Sequence, residues 1–240
     1  MELKIFKNPE EIGEACGKLY ADYINSNPRC VLGLATGATP LPTYKCLSRM
    51  CGEGKVSFKD VSTFNLDEYC DIPKTHKNSF YTFMCENLFS KTDINMDNVD
   101  FLDGNADPQE ESERYAKAIL DKGGIDIQLL GIGSNGHIAF NEPADAFQRW
   151  SHVVALKEST IKDNSRFFKS IDEVPTHAVT MGIGSIMQAK RILIIALGEN
   201  KAKAIKQLID GNVTPDCPAS VLQFHTDVTL MLDKGAASLL

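Results

Sequence analysis

Apolar residues in this chain gather in short runs that alternate with stretches where they recur every three to four positions. The runs lie at 3–6, 30–35, 61–65, 99–102, 125–131, 178–181, 191–197 and 228–232. Several are apolar throughout rather than alternating, as expected of strands covered on both faces of a parallel sheet. Helical spacing places helices near 9–25, 40–51, 78–90, 107–122, 159–169, 183–189 and 199–210. This alternation predicts an α/β fold: an open, doubly wound, mostly parallel Rossmann-like sheet with helices on both faces. Such sheets hold their ligands at the carboxyl ends of the strands. No repeat, low-complexity tract or linker divides the chain, so residues 1–240 read as one domain. Residues 143–177 are the least regular part, with Pro143, Pro175 and the single Trp150. They are open to two readings, a lid over a cleft or a plain surface excursion.

Composition narrows the function. The 240 residues are 43% hydrophobic and 24% charged, which is ordinary for a globular protein able to bury a core without staples. No apolar run approaches the roughly 18 residues of a membrane span. The N-terminal segment lacks the apolar stretch of a signal peptide, so a cytoplasmic protein with no membrane partner is expected. Seven cysteines, an odd number with no C-x-x-C, suggest reduced thiols rather than a disulfide framework or a zinc site. Cys16 and Cys30 read as small apolar fillers. A net charge of -7 without a basic run argues against nucleic acid as the main partner. An anionic ligand would then have to meet positive character gathered locally, from backbone N–H groups, helix N-termini and a few Arg or Lys.

Three segments at strand ends carry candidate chemistry. Ala35-Thr36-Gly37-Ala38-Thr39-Pro40 follows the first long apolar strand. A Gly turn leading into a helix, with Thr39 at N-cap and Pro40 at N1, would leave N–H groups facing the strand end, where a phosphate can sit. The spacing equally fits a capped helix start without a ligand, and no Lys-Ser/Thr follows to make a P-loop. Thr63-Phe64-Asn65-Leu66-Asp67-Glu68-Tyr69 puts two carboxylates behind another strand, where Asp67 can be a general base or a simple turn residue.

The third segment runs from Gly131 through Asn135 and His137 to Glu142 and Pro143. Residues 131–136 match G-x-G-x-x-G. A dinucleotide site is rejected because Pro143 interrupts any following helix and the strand comes late in the chain. Instead the glycines let backbone approach a ligand closely. His137 can exchange protons near neutral pH, and Glu142 could turn back to hold its ring, although a buried, hydrogen-bonded histidine fits as well. Two cations complete the set: Arg166 in Asn164-Ser165-Arg166-Phe167-Phe168, and Lys201 at a strand-to-helix turn. The helix dipole disfavours a cation at the Lys201 position unless an anion is bound there.

The motifs L-G-L-x-T-G-x-T-P, F-N-L-D-E-Y, G-I-G-x-N-G-H-I-A-F-N-E-P, N-S-R-F-F and L-G-x-x-K-A occur in this order. Together, over about residues 30–225, they resemble the glucosamine-6-phosphate deaminase (isomerase) family. The resemblance implies conversion of glucosamine 6-phosphate and water to fructose 6-phosphate and ammonia, without a redox cofactor or metal. It implies that His137 opens the sugar ring, supported by Glu142 and Asn135. Asp67 would move the C2 proton towards C1 through an enolamine. Thr36, Gly37, Ala38, Thr39, Arg166 and Lys201 match phosphate-binding positions, and residues 150–180 match a mobile lid.

The chain departs from the long, allosteric members in carrying Asn135 where they have Asp. Asn can orient His137 by hydrogen bonding but supplies no charge. The C-terminal extension tied to hexamer assembly in those members is also lacking, so an unregulated monomer of the short bacterial type is expected. Two rivals are weighed: a 6-phosphogluconolactonase, which needs no enolising base, and a non-catalytic sugar-phosphate sensor. Asp67, His137 and Glu142 favour the deaminase over both.

Overall fold

The structure, a computed structural model, describes residues 1–165 and 168–240. Seven strands form the central sheet: β1 (Glu2–Phe6), β2 (Val31–Leu34), β3 (Ser62–Asn65), β5 (Val99–Asp100), β6 (Ile127–Leu130), β9 (Arg191–Ala196) and β10 (Val228–Asp233). Their order is β1-β10-β9-β6-β2-β3-β5, and every pairing is parallel. The interior strands are apolar because both faces are covered: β2 and β6 are buried at every position, and β9 at all but Arg191. The doubly wound α/β prediction therefore holds.

Helices α1 (Pro9–Ser26), α2 (Leu41–Gly52), α3 (Phe80–Asn87), α4 (Pro108–Asp121), α5 (Glu158–Asn164), α6 (Ile183–Ile186) and α7 (Ala202–Asp210) connect the strands. Local chemistry sets several starts. Asn8 accepts the Glu11 N–H at 2.8 Å with Pro9 in the first turn, and Asp107 accepts the Gln109 and Glu110 N–H groups ahead of Pro108. Among the described residues, no helix is long and apolar enough to cross a membrane.

The sequence reading missed two strands, β4 (Asp67–Tyr69) and β7 (His152–Ala155). They flank β8 (His177–Thr180) in a separate antiparallel sheet of order β4-β8-β7. The apolar run at 178–181 thus belongs mainly to this small sheet, not to the central one. Residues 143–177 are also more regular than expected, since they contain β7, α5 and a 3-10 turn at Ile171–Glu173.

The strand order locates the site. From β2 the chain winds outward through β3 to β5, then crosses back to β6 on the other side of β2 and continues towards β1. Winding reverses between β2 and β6, and the connections leaving their carboxyl ends must part there. This opens a crevice, the usual ligand position in a doubly wound sheet.

Candidate active site

The loop after β2 forms one wall of that crevice. The Tyr44 hydroxyl on α2 donates to the Ala35 carbonyl at 2.5 Å, pinning the start of the loop, which then turns at Gly37 (φ 97°). The predicted cap needs correction. Pro40, not Thr39, occupies the cap position, because its carbonyl accepts the first helical N–H, from Tyr44 at 3.1 Å. Thr39 lies one residue too early to cap α2 and lines the crevice with Thr36, Gly37 and Ala38.

The loop after β6 forms the opposite wall. Gly133 N–H donates to the His137 carbonyl at 2.8 Å, and Gly136 N–H to the Gly133 carbonyl at 3.0 Å, so the loop is tight. The His137 imidazole lies directly over Gly133, where a Cβ would stand 2.4–2.6 Å from three ring atoms. Only glycine admits the ring in this position.

A second turn brings Glu142 back to the ring. Asn141 N–H donates to the Ile138 carbonyl at 3.1 Å, with Ala139 in the left-handed region (φ 51°). The buried Asn141 amide also donates to the Ile138 and Met181 carbonyls at 3.0 and 2.8 Å, tying the turn to the end of β8. Glu142 Oε1 consequently lies 3.2 Å from His137 Nδ1, a close contact whose N–H direction is poor for a hydrogen bond. Asn135 Nδ2 donates to Glu142 Oε2 at 2.7 Å, Thr160 Oγ1 donates to Oε1 at 3.2 Å, and Lys157 Nζ lies 3.6 Å from Oε2. Burial alone would raise the Glu142 pKa. His137, Asn135 and Lys157 outweigh it and hold the carboxyl at about 2.

Asn135 meets His137 by hydrogen bonding, as expected, but through the backbone. Its Oδ1 accepts the His137 backbone N–H at 3.1 Å while its amide holds Glu142, so its influence on the ring is indirect.

Asp67 begins β4 rather than ending β3. Its residue is 7% exposed, and burial, reinforced by the neighbouring Glu68 carboxylate, pushes its pKa up to about 8. Glu68 points elsewhere. It accepts the N–H groups of Tyr69 at 2.8 Å, Phe80 at 2.9 Å and Tyr81 at 3.0 Å. It therefore closes the first turn of α3, whose Ser79 cap accepts the Thr82 N–H at 3.0 Å.

Thr36, Gly37, Ala38, Thr39, Asp67, Asn135, His137 and Lys201 all line one crevice of about 720 Å³, with Glu142 against His137. Arg166 lies outside the described residues. Lys77, Asn78, Ser79, Thr160 and Asn200 also line the crevice and were not singled out from the sequence. Their common signal, a polar side chain in a connection leaving or facing a strand end, is too frequent to select them. Among the described residues, no group of three or more His, Cys, Asp or Glu could hold a metal ion. The arrangement offers a carboxylate of raised proton affinity, an imidazole backed by an ionised carboxylate, and a loop suited to an anion.

Residues 9–231 match the family model of glucosamine-6-phosphate isomerases/6-phosphogluconolactonase. A glucosamine-6-phosphate deaminase of Mycoplasma mycoides is 50% identical over 238 residues, 99% of this chain and 97% of the relative. One from Clostridium perfringens is 48% identical over the whole of both chains. A solved structure of a monomeric glucosamine-6-phosphate deaminase superposes with a TM-score of 0.96 at 43% identity, covering both chains completely. The 6-phosphogluconolactonase of Trypanosoma brucei, 21% identical with a TM-score of 0.76 over 100% of this chain and 98% of its own, shares the fold. Full-length matches and a common strand-end architecture agree: the chain belongs to the glucosamine-6-phosphate isomerase/6-phosphogluconolactonase family, on its glucosamine-6-phosphate deaminase side.

Proposed function

We propose that this protein converts glucosamine 6-phosphate and water to fructose 6-phosphate and ammonia, a step of amino-sugar catabolism. One observation carries the reading: a buried carboxylate, a carboxylate-backed imidazole and a strand-end anion loop converge on a single crevice. The relatives named as deaminases along the full length support it.

The phosphate is held by the loop of Thr36, Gly37, Ala38 and Thr39, with Lys201 and Arg166 supplying charge. This fixes the sugar so that C1 and C2 reach Asp67 and His137. Glu142, ionised well below neutral pH, favours a proton on His137 Nδ1 and leaves Nε2 to act. Nε2 takes the proton of the O1 hydroxyl and returns it to the ring oxygen, which opens the pyranose to the aldehyde. Asp67 then removes the C2 proton. The C2–H electrons form the C1–C2 double bond, and O1 takes a proton from the substrate's C2 ammonium group, giving the neutral enolamine. Asp67 returns its proton to C1, leaving an iminium at C2. Water adds to C2 and the C2–N bond breaks, releasing ammonia and the ketose. Protons move but no net electrons do, so the chemistry calls for no redox cofactor. A carboxylate with raised proton affinity is the better base for a weakly acidic C–H.

Residues 150–180 serve as the lid, with Thr160 and Phe168 on the crevice wall. The protein works as a cytoplasmic monomer. The 6-phosphogluconolactonase reading is disfavoured because hydrolysis of a lactone makes no use of a buried, proton-avid Asp67. A coupled assay tests the choice: ammonia and fructose 6-phosphate should form in equal amounts from glucosamine 6-phosphate. Lactone hydrolysis without ammonia release would reverse the assignment.

A further inference from the structure

Lys201 reaches the crevice from a loop whose shape is set by residues remote in sequence. The loop starts at Gly198 (φ 88°), whose carbonyl accepts the Lys201 N–H at 3.0 Å and closes the 3-10 turn Glu199–Lys201. Gly198 N–H donates to both carboxylate oxygens of Asp233, at 3.0 and 2.9 Å. Asp233 ends β10, one residue beyond the pairing of Leu232 with Ala196 of β9. The same carboxylate accepts the Ala236 N–H at 2.7 Å, so it also shapes the turn that follows β10. That turn is packed against the lysine loop without spare room. A Cβ at Gly235 would stand 2.9 Å from the Glu199 backbone nitrogen and 3.0 Å from the Gly198 carbonyl carbon. The proposed mechanism uses neither Asp233 nor Gly235, and neither lines the crevice.

We infer that Asp233, with the Gly235 turn behind it, is a positioning residue that sets Lys201 at the distance from which it meets the substrate phosphate. The inference rests on the reading of the crevice as a sugar-phosphate site. Hydrogen bonds to an ionised acceptor are the stronger kind, and one carboxylate here joins the ends of two neighbouring strands. A loop held in its binding geometry loses less freedom when the anion arrives. The phosphate is remote from the bonds that change, so the contribution belongs to binding and should appear in KM rather than kcat. Direct electrostatics would have the opposite sign, because the Asp233 charge by itself repels a phosphate.

Three variants test the inference, read by steady-state kinetics with glucosamine 6-phosphate and by competition with inorganic phosphate. Asp233→Ala should raise KM and the phosphate inhibition constant together, about tenfold, with kcat within about threefold. Asp233→Asn keeps an acceptor for Gly198 and should restore most of the affinity. Gly235→Ala disturbs the same loop without changing charge and should raise both constants in the same way. Tighter phosphate binding in Asp233→Asn than in wild type, or unchanged KM in both Asp233→Ala and Gly235→Ala, overturns the inference. Lys201→Ala separates the two levels. If it leaves phosphate inhibition unchanged, the anion-site reading fails and the inference falls with it. If it weakens phosphate while the Asp233 and Gly235 variants do not, only the inference falls.

Discussion

Asn135 Nδ2 donates to Glu142 Oε2 at 2.7 Å, seven residues along the chain, so the side chain behind the imidazole is fixed by a neutral amide. Asn135→Asp would place two carboxylates at that separation. Its Oδ1 could still accept the His137 N–H, so the loop should survive while the charge balance around Glu142 changes. The Glu142 pKa should rise, and the kcat/KM pH profile should shift. An unchanged profile would remove residue 135 from any influence on His137.

Gly133→Ala should lower activity about 100-fold, since the added methyl displaces the imidazole by a sizeable fraction of an ångström or more. The loop lies at the crevice, so the melting temperature should move little by comparison. Wild-type kcat in a folded Gly133→Ala variant would show that the ring position does not matter.

Asp67→Asn should cost about 100- to 10,000-fold in turnover, the usual worth of a general base. It should also stabilise the protein. The folded pKa of about 8 lies above the ordinary 3.8, so ionising Asp67 opposes folding, and stability falls as pH rises between those values. Replacing the ionisable group with a neutral amide should gain up to about 4 kcal/mol at pH 7. Urea denaturation at pH 5 and pH 8 should show the advantage of the variant growing with pH. In the active wild type, kcat/KM should rise through about pH 8.

Glu142→Gln should act with the opposite sign. The folded pKa of about 2 lies below the ordinary 4.5, so the ionised carboxylate stabilises the fold above pH 4.5, and that contribution is lost as pH falls through 2. At pH 7 the variant should be less stable by about 3 kcal/mol. The deficit should shrink between pH 4.5 and 3; a deficit independent of pH would mean the charge contributes nothing.

Glu68→Ala leaves the N–H groups of Tyr69, Phe80 and Tyr81 without their acceptor and should destabilise the protein by about 3 kcal/mol. Glu68→Gln keeps part of the bonding but removes the charge beside Asp67. The rise of kcat/KM with pH should then move to lower pH. A shift in the other direction would show that Glu68 does not raise the Asp67 pKa.

Central strands were legible because burial on both faces leaves an apolar run that needs no partner to be recognised, as in Val31-Leu32-Gly33-Leu34. The pairing of His137 with Glu142 was legible for a similar reason, since both belong to one short loop. β4 was not: three residues, Asp67-Glu68-Tyr69, become a strand only by pairing with Thr180, Val179 and Ala178. β7 alternates between half-buried and exposed positions and pairs with the same partner. Lys157 and Thr160 meet Glu142 from α5 and its preceding residue, and Asp233 meets Gly198 from another strand end. No local pattern encodes such meetings. Thr39 was misplaced because Thr-Pro fits a cap one residue earlier than the one the backbone adopts.

The small antiparallel sheet brackets the excursion between its strands. β7 and β8 are in register from His152–Thr180 to Ala155–His177, and Leu156 N–H donates to the Thr176 carbonyl at 2.8 Å, so the two ends of the arc are clasped together. β8 is clasped in turn to the strand that bears Asp67. Residues 157–165 and 168–175 are therefore spliced into a closed neck. Positions there other than those that meet Glu142 and the phosphate can be exchanged, by evolution or by a designer altering which sugar is admitted, while Asp67 keeps its register.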